Sequence, residues 1–397
     1  MAKPEEDYVA ITSLLKYLAE GDLPINETID AVALLYQGKL SPVQAASLLT
    51  LLNTTGLDQD PNVIAQCAAN MRKTGLQIDY KRIMARMNTQ KSEKIGGSYL
   101  GGYCTIEGTG GDGHSTFNVS TAASIVASAV VFVAKHGAGA SSSKSGAADV
   151  LRATTYPSLI LEAVTPDSIS TFFENGSFTF LFAPIFHPGL KQVTLIRKQL
   201  GFKTIFNILG PLTHPLNSIL EARVVGVAQR RLGPIYAEAL RISGVQNALV
   251  VCGAEELDEI SCAGPTFCWR LSPGNDDDVV RIDCFQLEPA DFGLPTHDLD
   301  QVPMGKSPDE NAEILMQLLS NQLPTDSPTL HFVLMNAAAL LVVSGICDGE
   351  TGGIVKEIGP GGGRWKEGVR RARKGLEDGK SLESFDQFIN GVRRDAM

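Results

Sequence analysis

From residue 7 to about 76 the apolar residues recur at helical spacing, and no β-branched alternation in this stretch is long enough for a strand. Ser41-Pro42 and Asp60-Pro61 each read as an N-cap residue followed by proline at the first helical position. The last helix, "PNVIAQCAANMRKT", stops at Gly75, so the chain is predicted to open with a small all-helical unit. The polar stretch "DYKRIMARMNTQKSEKIGGSYLGG" then reads as a connector or an exposed insertion. Beyond residue 100 the runs "YCTIE", "VVFVA", "FTFLFAP", "ARVVGVA" and "NALVVCG" alternate with helical stretches. This predicts a mostly parallel sheet covered on both faces, an α/β arrangement. "TFCWRL" and "RIDCFQL" lie close together and predict an antiparallel edge, with "SPGNDDDVV" as an acidic turn between them. Helices are expected at "SPDENAEILMQLLSN" and "HFVLMNAAALLVVSG", and the basic "GGRWKEGVRRARKGLEDGK" reads as a solvated helix.

The segment Glu107 to Thr121, "EGTGGDGHSTFNVST", places four glycines within residues 108–113 and follows them with hydroxyl and amide side chains. Glycine lets the backbone take positive φ and lets a ligand approach peptide N–H groups. A helix opening just afterwards adds unpaired N–H groups and a positive dipole end. A tight turn with a Ser/Thr cap explains the same residues, and spacing alone leaves both readings open. A second loop, "VAKHGAGASSSKSGAADVL", repeats the strand, loop and helix order, and both loops would face one crevice in an open α/β sheet. Lys135, His136 and Lys144 would give it positive charge, and Ser141, Ser142, Ser143 and Ser145 neutral donors. Asp258 and Glu259, after "NALVVCG", are adjacent hard oxygen ligands that suit Mg²⁺ beside phosphates, although such a pair is more often simply solvated. Arg197 in "LKQVTLIRKQLG" could hold a carboxylate through two parallel hydrogen bonds, against the commoner fate of a surface arginine.

Composition narrows the partners. The chain has 397 residues with 34 Lys plus Arg against 44 Asp plus Glu, a net charge of −10. With no basic stripe, a nucleic-acid surface is not expected. No long uncharged apolar run and no basic, apolar leader is present, which predicts a cytoplasmic protein without a membrane segment. The seven cysteines are scattered and show no CxxC pair, so they read as reduced core residues and not as disulfides or a zinc site.

Taken in order, "GTGGDG", "FNVST", "VAKHG", "SSSKSGAADVL", "FLFAPIFHP", "TIFNILGPL" and "ELDEIS" resemble the anthranilate phosphoribosyltransferases of tryptophan biosynthesis, and the likeness covers most of the chain. The resemblance implies a helical domain, residues 1–85, completed by helices near 184–203 and hinged to a larger α/β domain, residues 100–183 and 204–397. It also implies a homodimer that transfers the phosphoribosyl group of phosphoribosyl pyrophosphate (PRPP) to anthranilate with Mg²⁺. By the same resemblance Gly108, Gly111, Asp112, Thr116, Asn118, Ser120, Thr121, Lys135, Ser142 and Ser143 contact PRPP. Gly108, His136, Arg197 and Gly210 take anthranilate, while Ser120, Asp258 and Glu259 hold the metal. Lys135, Asp258 and Glu259 carry catalysis by stabilising the departing pyrophosphate. The family commonly reads "KHGNR", whereas this chain reads "KHGAG", so Ala138 and Gly139 replace an amide and a cation. Ala147 also stands where a serine is frequent. Competing readings are a pyrimidine nucleoside phosphorylase of the related fold and a non-catalytic relative acting as a binding protein.

Overall fold

The computed structural model describes residues 8–90, 94–114, 116–140, 144–274, 279–302, 306–349 and 354–396. The chain opens with α1 (Thr12–Glu20), α2 (Ile25–Tyr36), α3 (Pro42–Thr55) and α4 (Pro61–Thr74). The Ser41 hydroxyl accepts from the Gln44 N–H, and Asp60 accepts from the N–H groups of Asn62 and Val63. Each cap contributes about 1 kcal/mol. The polar stretch after Gly75 is not merely a connector, because it contains α5 (Tyr80–Gln90). Ile78 and Ile83 are buried, and α5 packs on a later helix at residues 169–175. Apolar residues interleaved with charged ones are a weak signal, and the packing surface that uses Ile78 and Ile83 comes from a distant segment.

Seven strands make one sheet, β1 (Tyr103–Gly108), β2 (Phe132–Gly137), β3 (Phe178–Phe182), β4 (Leu220–Gly226), β5 (Ala248–Gly253), β6 (Thr266–Pro273) and β7 (Val280–Leu287), in the order β3-β2-β1-β4-β5-β6-β7. The pairs from β3 through β5 are parallel, and β5–β6 and β6–β7 are antiparallel. The helices among and after the strands are α6 (Val119–Ser128), α7 (Ala147–Ala153), α8 (Ile169–Asn175), α9 (Ala183–Phe186), α10 (Leu190–Leu200), α11 (Leu232–Ile242), α12 (Pro308–Leu319), α13 (Pro328–Val343), α14 (Trp365–Glu377) and α15 (Lys380–Asp395).

Strand alternation separates two cores. Ala222, Val224, Leu249 and Val251 face a core shared with α6, α13 and α14, while Val225, Val227, Val250 and Cys252 face the other way. Helix α13 is apolar all round and buried along its length, as such a helix must be. The second core continues through α11 into α1–α4, and α10 packs on α2 and α3. The helical bundle therefore shares its apolar interior with one face of the sheet. Helix α14 differs from its expected solvated state. Trp365, Val369, Ala372 and Leu376 are buried, and Glu367, fully buried, pairs with Arg370 and Arg371 on its own helix. Six cysteines are buried and none is bonded, but Cys284 on β7 is exposed and is not the core residue expected.

Candidate active site

Strands β1, β2 and β3 step outward in one direction, and the chain then returns to place β4 on the other side of β1. A reversal of this kind opens a crevice at the C-terminal ends of the strands. Gly108 and Gly226 are register partners there, at the ends of β1 and β4. A Cβ on Gly226 would overlap the Asp258 carbonyl group, and one on Gly108 would overlap the Asp258 carboxylate. Both glycines thus make room for the turn after β5, which folds back over the crevice. That turn brings Asp258 and Glu259 to Asp112, with one oxygen from each of the three within 4.8 Å of the others.

The glycine loop has the geometry its composition demands. Gly110, Gly111 and Gly113 have φ of 67°, 76° and 85°, a region open to glycine and rarely to other residues. The Gly110 N–H donates to Asp258 Oδ2 at 2.7 Å and the Thr109 N–H to the Gly226 carbonyl at 2.9 Å. The His114 Nε2 lies 2.9 Å from the Glu255 carbonyl oxygen, and Lys203 Nζ donates to the Gly111 carbonyl at 2.5 Å. Neither His114 nor Lys203 carries a mark in the sequence, because the loops they join are distant along the chain.

Lys135 is only 3% exposed, and its Nζ donates to the Ile106 carbonyl at 2.8 Å and to Ser120 Oγ at 3.3 Å. Burial pushes this ammonium below the ordinary lysine range, against the opposing pull of Glu107, Glu259 and Asp258. Glu107, from β1, accepts from the Thr105 hydroxyl at 3.2 Å, and burial raises its pKa while Lys135 and Arg223 oppose the rise. Asp258 is pushed up to about 7, first by burial and then by the neighbouring charge of Asp112. Glu259 is pushed up by burial and then by Asp258 and Asp112, with the Ser120 N–H donating to it in opposition. Its Oε2 is buried without a hydrogen-bond partner among the described residues. One enclosed ammonium thus faces a surplus of carboxylates, and the donor set is all oxygen. Such a site fits a hard divalent cation, which would draw these carboxyls back to their charged forms.

The remaining predicted residues distribute unevenly. Asn118 is committed to structure: its Nδ2 donates to the Ser145 carbonyl at 3.1 Å, and its Oδ1 accepts from Ser145 Oγ at 3.3 Å and Asn311 Nδ2 at 3.1 Å. Ser120 Oγ serves Lys135, and the Thr121 hydroxyl is buried without a hydrogen-bond partner among the described residues. Thr116 is half-buried beside the loop, and Lys144 is exposed. Ser141, Ser142 and Ser143 lie outside the described residues. Asp149 clamps both ends of that serine loop, accepting from the Ala140 N–H at 2.7 Å and the Gly146 N–H at 2.9 Å, a role that spacing did not reveal.

His136 does not add the positive charge expected of it. Burial first, then the rings of His187 and His214 and the charge of Lys135, hold its pKa well below the usual histidine range. Its ring centroid lies 5.1 Å from that of His187 and 5.6 Å from that of His214. Arg197 sits in the last turn of α10, half-buried, and burial lowers its pKa. Among the described residues no hydrogen bond or ion pair engages its guanidinium. Gly210 is exposed at the start of a 3₁₀ turn, with open space where a Cβ would point.

A model of the a/b domain of the glycosyl transferase family matches residues 103–382, and one of its helical bundle domain matches residues 12–75. The anthranilate phosphoribosyltransferase of Schizosaccharomyces pombe is 38% identical over 367 residues, 92% of this chain and 92% of that protein. The solved anthranilate phosphoribosyltransferase from Saccharomyces cerevisiae in complex with PRPP and Mg superposes with a TM-score of 0.80 at 31% identity, covering 97% of this chain and 99% of that one. The same yeast enzyme in complex with 4-fluoroanthranilate gives a TM-score of 0.75 at 29% identity, over 97% and 99% of the two chains. With a helical bundle on a sheet, a glycine loop at the strand reversal and three carboxylates above it, the chain belongs to the anthranilate phosphoribosyltransferase family.

Proposed function

We infer that this protein transfers the 5-phosphoribosyl group of PRPP to the amino group of anthranilate, giving N-(5-phosphoribosyl)anthranilate and pyrophosphate. The observation that carries the reading is the meeting of Asp112, Asp258 and Glu259 over the glycine loop at the β1–β4 reversal. The amine nitrogen forms a bond to ribose C1 as the bond from C1 to the pyrophosphate oxygen breaks. The bonding pair leaves with pyrophosphate, and the amine's surplus proton passes to water. An aromatic amine is already uncharged at neutral pH, with its lone pair free, so leaving-group stabilisation and alignment matter more than a general base. Asp258 and Glu259, with Asp112 beside them, would hold Mg²⁺, which when bound supplies positive charge to the diphosphate.

The protein's own groups supply the rest. Peptide N–H groups of the loop beyond Gly110 face the diphosphate, those of Thr109 and Gly110 being taken by Gly226 and Asp258. Thr116, Ser120 and Thr121 flank it, and Ser142 and Ser143 are assigned to it by the family resemblance alone. Lys135 acts from beneath, holding the end of β1 and Ser120 in place and offsetting the carboxylate charge. Arg197 is the partner for the anthranilate carboxylate, since among the described residues it has no anion and it sits four residues before the helix-ending Gly201. His136, held neutral, and Gly210 border the aromatic ring without adding charge.

Residues 1–85 with 184–203 are the helical domain and residues 100–183 with 204–397 the α/β domain, a division supported by the packing of α10 on α2 and α3. The protein works as a cytoplasmic homodimer. Val43 and Tyr17, 76% and 51% exposed on the helical bundle, are apolar surface suited to a second copy. No helix among the described residues is long and apolar enough to cross a membrane. The function is tested by mixing protein, PRPP, Mg²⁺ and anthranilate and following anthranilate fluorescence. Loss of fluorescence that requires all four, with pyrophosphate released in equal amount, is expected; unchanged fluorescence would refute the reading.

A further inference from the structure

Lys203 is exposed and lies two residues beyond Gly201, the C-cap of α10. Its Nζ donates to the Gly111 carbonyl at 2.5 Å. A Cβ on Gly111 would stand 3.3 Å from Lys203 Cε and 3.5 Å from Nζ, so glycine at 111 lets the ammonium lie directly against the loop backbone. The Lys203 carbonyl accepts in turn from Asn53 Nδ2 of α3 at 3.3 Å, and the same amide donates to the buried Asp58 at 3.0 Å. A hydrogen-bonded path thus runs from the helical bundle to the glycine loop.

An ammonium has three donors, and Gly111 takes one. Among the described residues no other acceptor engages Lys203. The loop meanwhile needs an accessible cation, because Lys135 is enclosed and committed to Ile106 and Ser120, and three carboxylates stand nearby. We propose that Lys203 is a further binding residue for the diphosphate of PRPP, anchored on Gly111 by one N–H and offering the others to a phosphate oxygen. This rests on the phosphoribosyl-transfer reading above. Because Asn53 holds the Lys203 main chain, diphosphate affinity also depends on where the helical bundle sits.

The unaltered enzyme is assayed first; absence of PRPP-dependent turnover sinks both readings. With turnover established, Lys203→Met is expected to raise the KM for PRPP and the inhibition constant of pyrophosphate by roughly three- to tenfold, the range for one charge-assisted bond at an exposed site. The KM for anthranilate at saturating PRPP stays within about twofold, as expected when a single phosphate contact is lost. Lys203→Arg recovers most of the loss, and the difference between wild type and Lys203→Met shrinks as salt rises. Asn53→Ala gives a smaller change in the same two constants. Unchanged PRPP and pyrophosphate constants in Lys203→Met overturn the proposal. So does an equal rise for both substrates with a lowered Tm, which marks a purely structural clamp.

Discussion

On the strand side of the crevice, Asp112, Asp258 and Glu259 crowd together above a single enclosed ammonium, Lys135, and the Glu259 Oε2 has no hydrogen-bond partner among the described residues. On the helical side, Arg197 is half-buried in the last turn of α10, and among the described residues it has no anion. The first region holds more carboxylates than the cations beside them, and the second, among the described residues, holds a cation without an anion. In a folded protein each imbalance costs free energy, because burial penalises an uncompensated charge. Asp258 and Arg197 belong to separate elements, and under the proposed function each region would be completed by a ligand of the opposite sign. A metal with its diphosphate suits the first wall and an aromatic carboxylate the second.

Asp258→Asn combined with Glu259→Gln breaks the comparison most severely, by removing the surplus from the strand wall. Turnover should fall by at least about 10²-fold, the loss of several kcal/mol of leaving-group stabilisation. Thermal unfolding without Mg²⁺ should change little, since two crowded, half-buried carboxyls that repel one another have gone at the expense of the Gly110 hydrogen bond. Near-normal turnover in saturating PRPP and Mg²⁺, with intact circular dichroism, would take this wall out of the mechanism.

Arg197→Ala empties the other wall. A charge-assisted contact of about 1.5–3 kcal/mol predicts an anthranilate KM roughly ten- to a hundredfold higher. The KM for PRPP should stay near its original value. A rise confined to PRPP would show that the two substrates have been assigned to the wrong walls.

The histidines beneath the crevice allow a finer test. Burial lowers His187 to about 4 and His214 to about 3, and both stay neutral in the fold. Below about pH 6.5 the unfolded chain binds protons at these rings while the folded chain does not. Stability present above that pH is therefore lost as pH falls towards 4, by about 1.4 kcal/mol per pH unit for each ring. Urea unfolding between pH 7 and 4.5 measures the slope, and His214→Gln should reduce it by one ring's share. An unchanged slope would show that His214 is not the buried neutral base described.

The smallest effect expected is that of Ala138→Asn. The Ala148 N–H donates to the Ala138 carbonyl at 3.1 Å and Asp149 secures the adjoining backbone, so the position is firmly held. An amide there gains at most one hydrogen bond to the ligand, a change of about two- to tenfold in kcat/KM for anthranilate. No change in steady-state kinetics would place residue 138 away from the substrate.

Helix starts at Ser41 and Asp60, the parallel strands and the antiparallel β6–β7 edge were legible because each rests on local chemistry: a cap, a period, a short apolar run. The glycine loop and the adjacent carboxylates stood out for the same reason. Helix α5 was hidden because its apolar residues are interleaved with charged ones, and the apolar stripe of α14 was masked by its many basic residues. The commitment of Asn118 to Ser145 and Asn311, the anchoring of the loop by His114 and Lys203, and the grip of Asp149 on the serine loop were not legible.

By itself the sequence determined which residue types were available to hold phosphate, metal and carboxylate, and which segments would be helix or strand, since propensity, capping and periodicity act over a few residues. Only the tertiary structure decided that Gly108 and Gly226 yield space to Asp258 and that Asp112 joins the carboxylate pair. It also decided that His136 is neutral and that Lys135 is enclosed. These outcomes depend on the order of the strands and on how far each group is removed from water. Both arise when segments dozens to more than a hundred residues apart pack together, and charge and crowding are then set by neighbours that no local stretch contains.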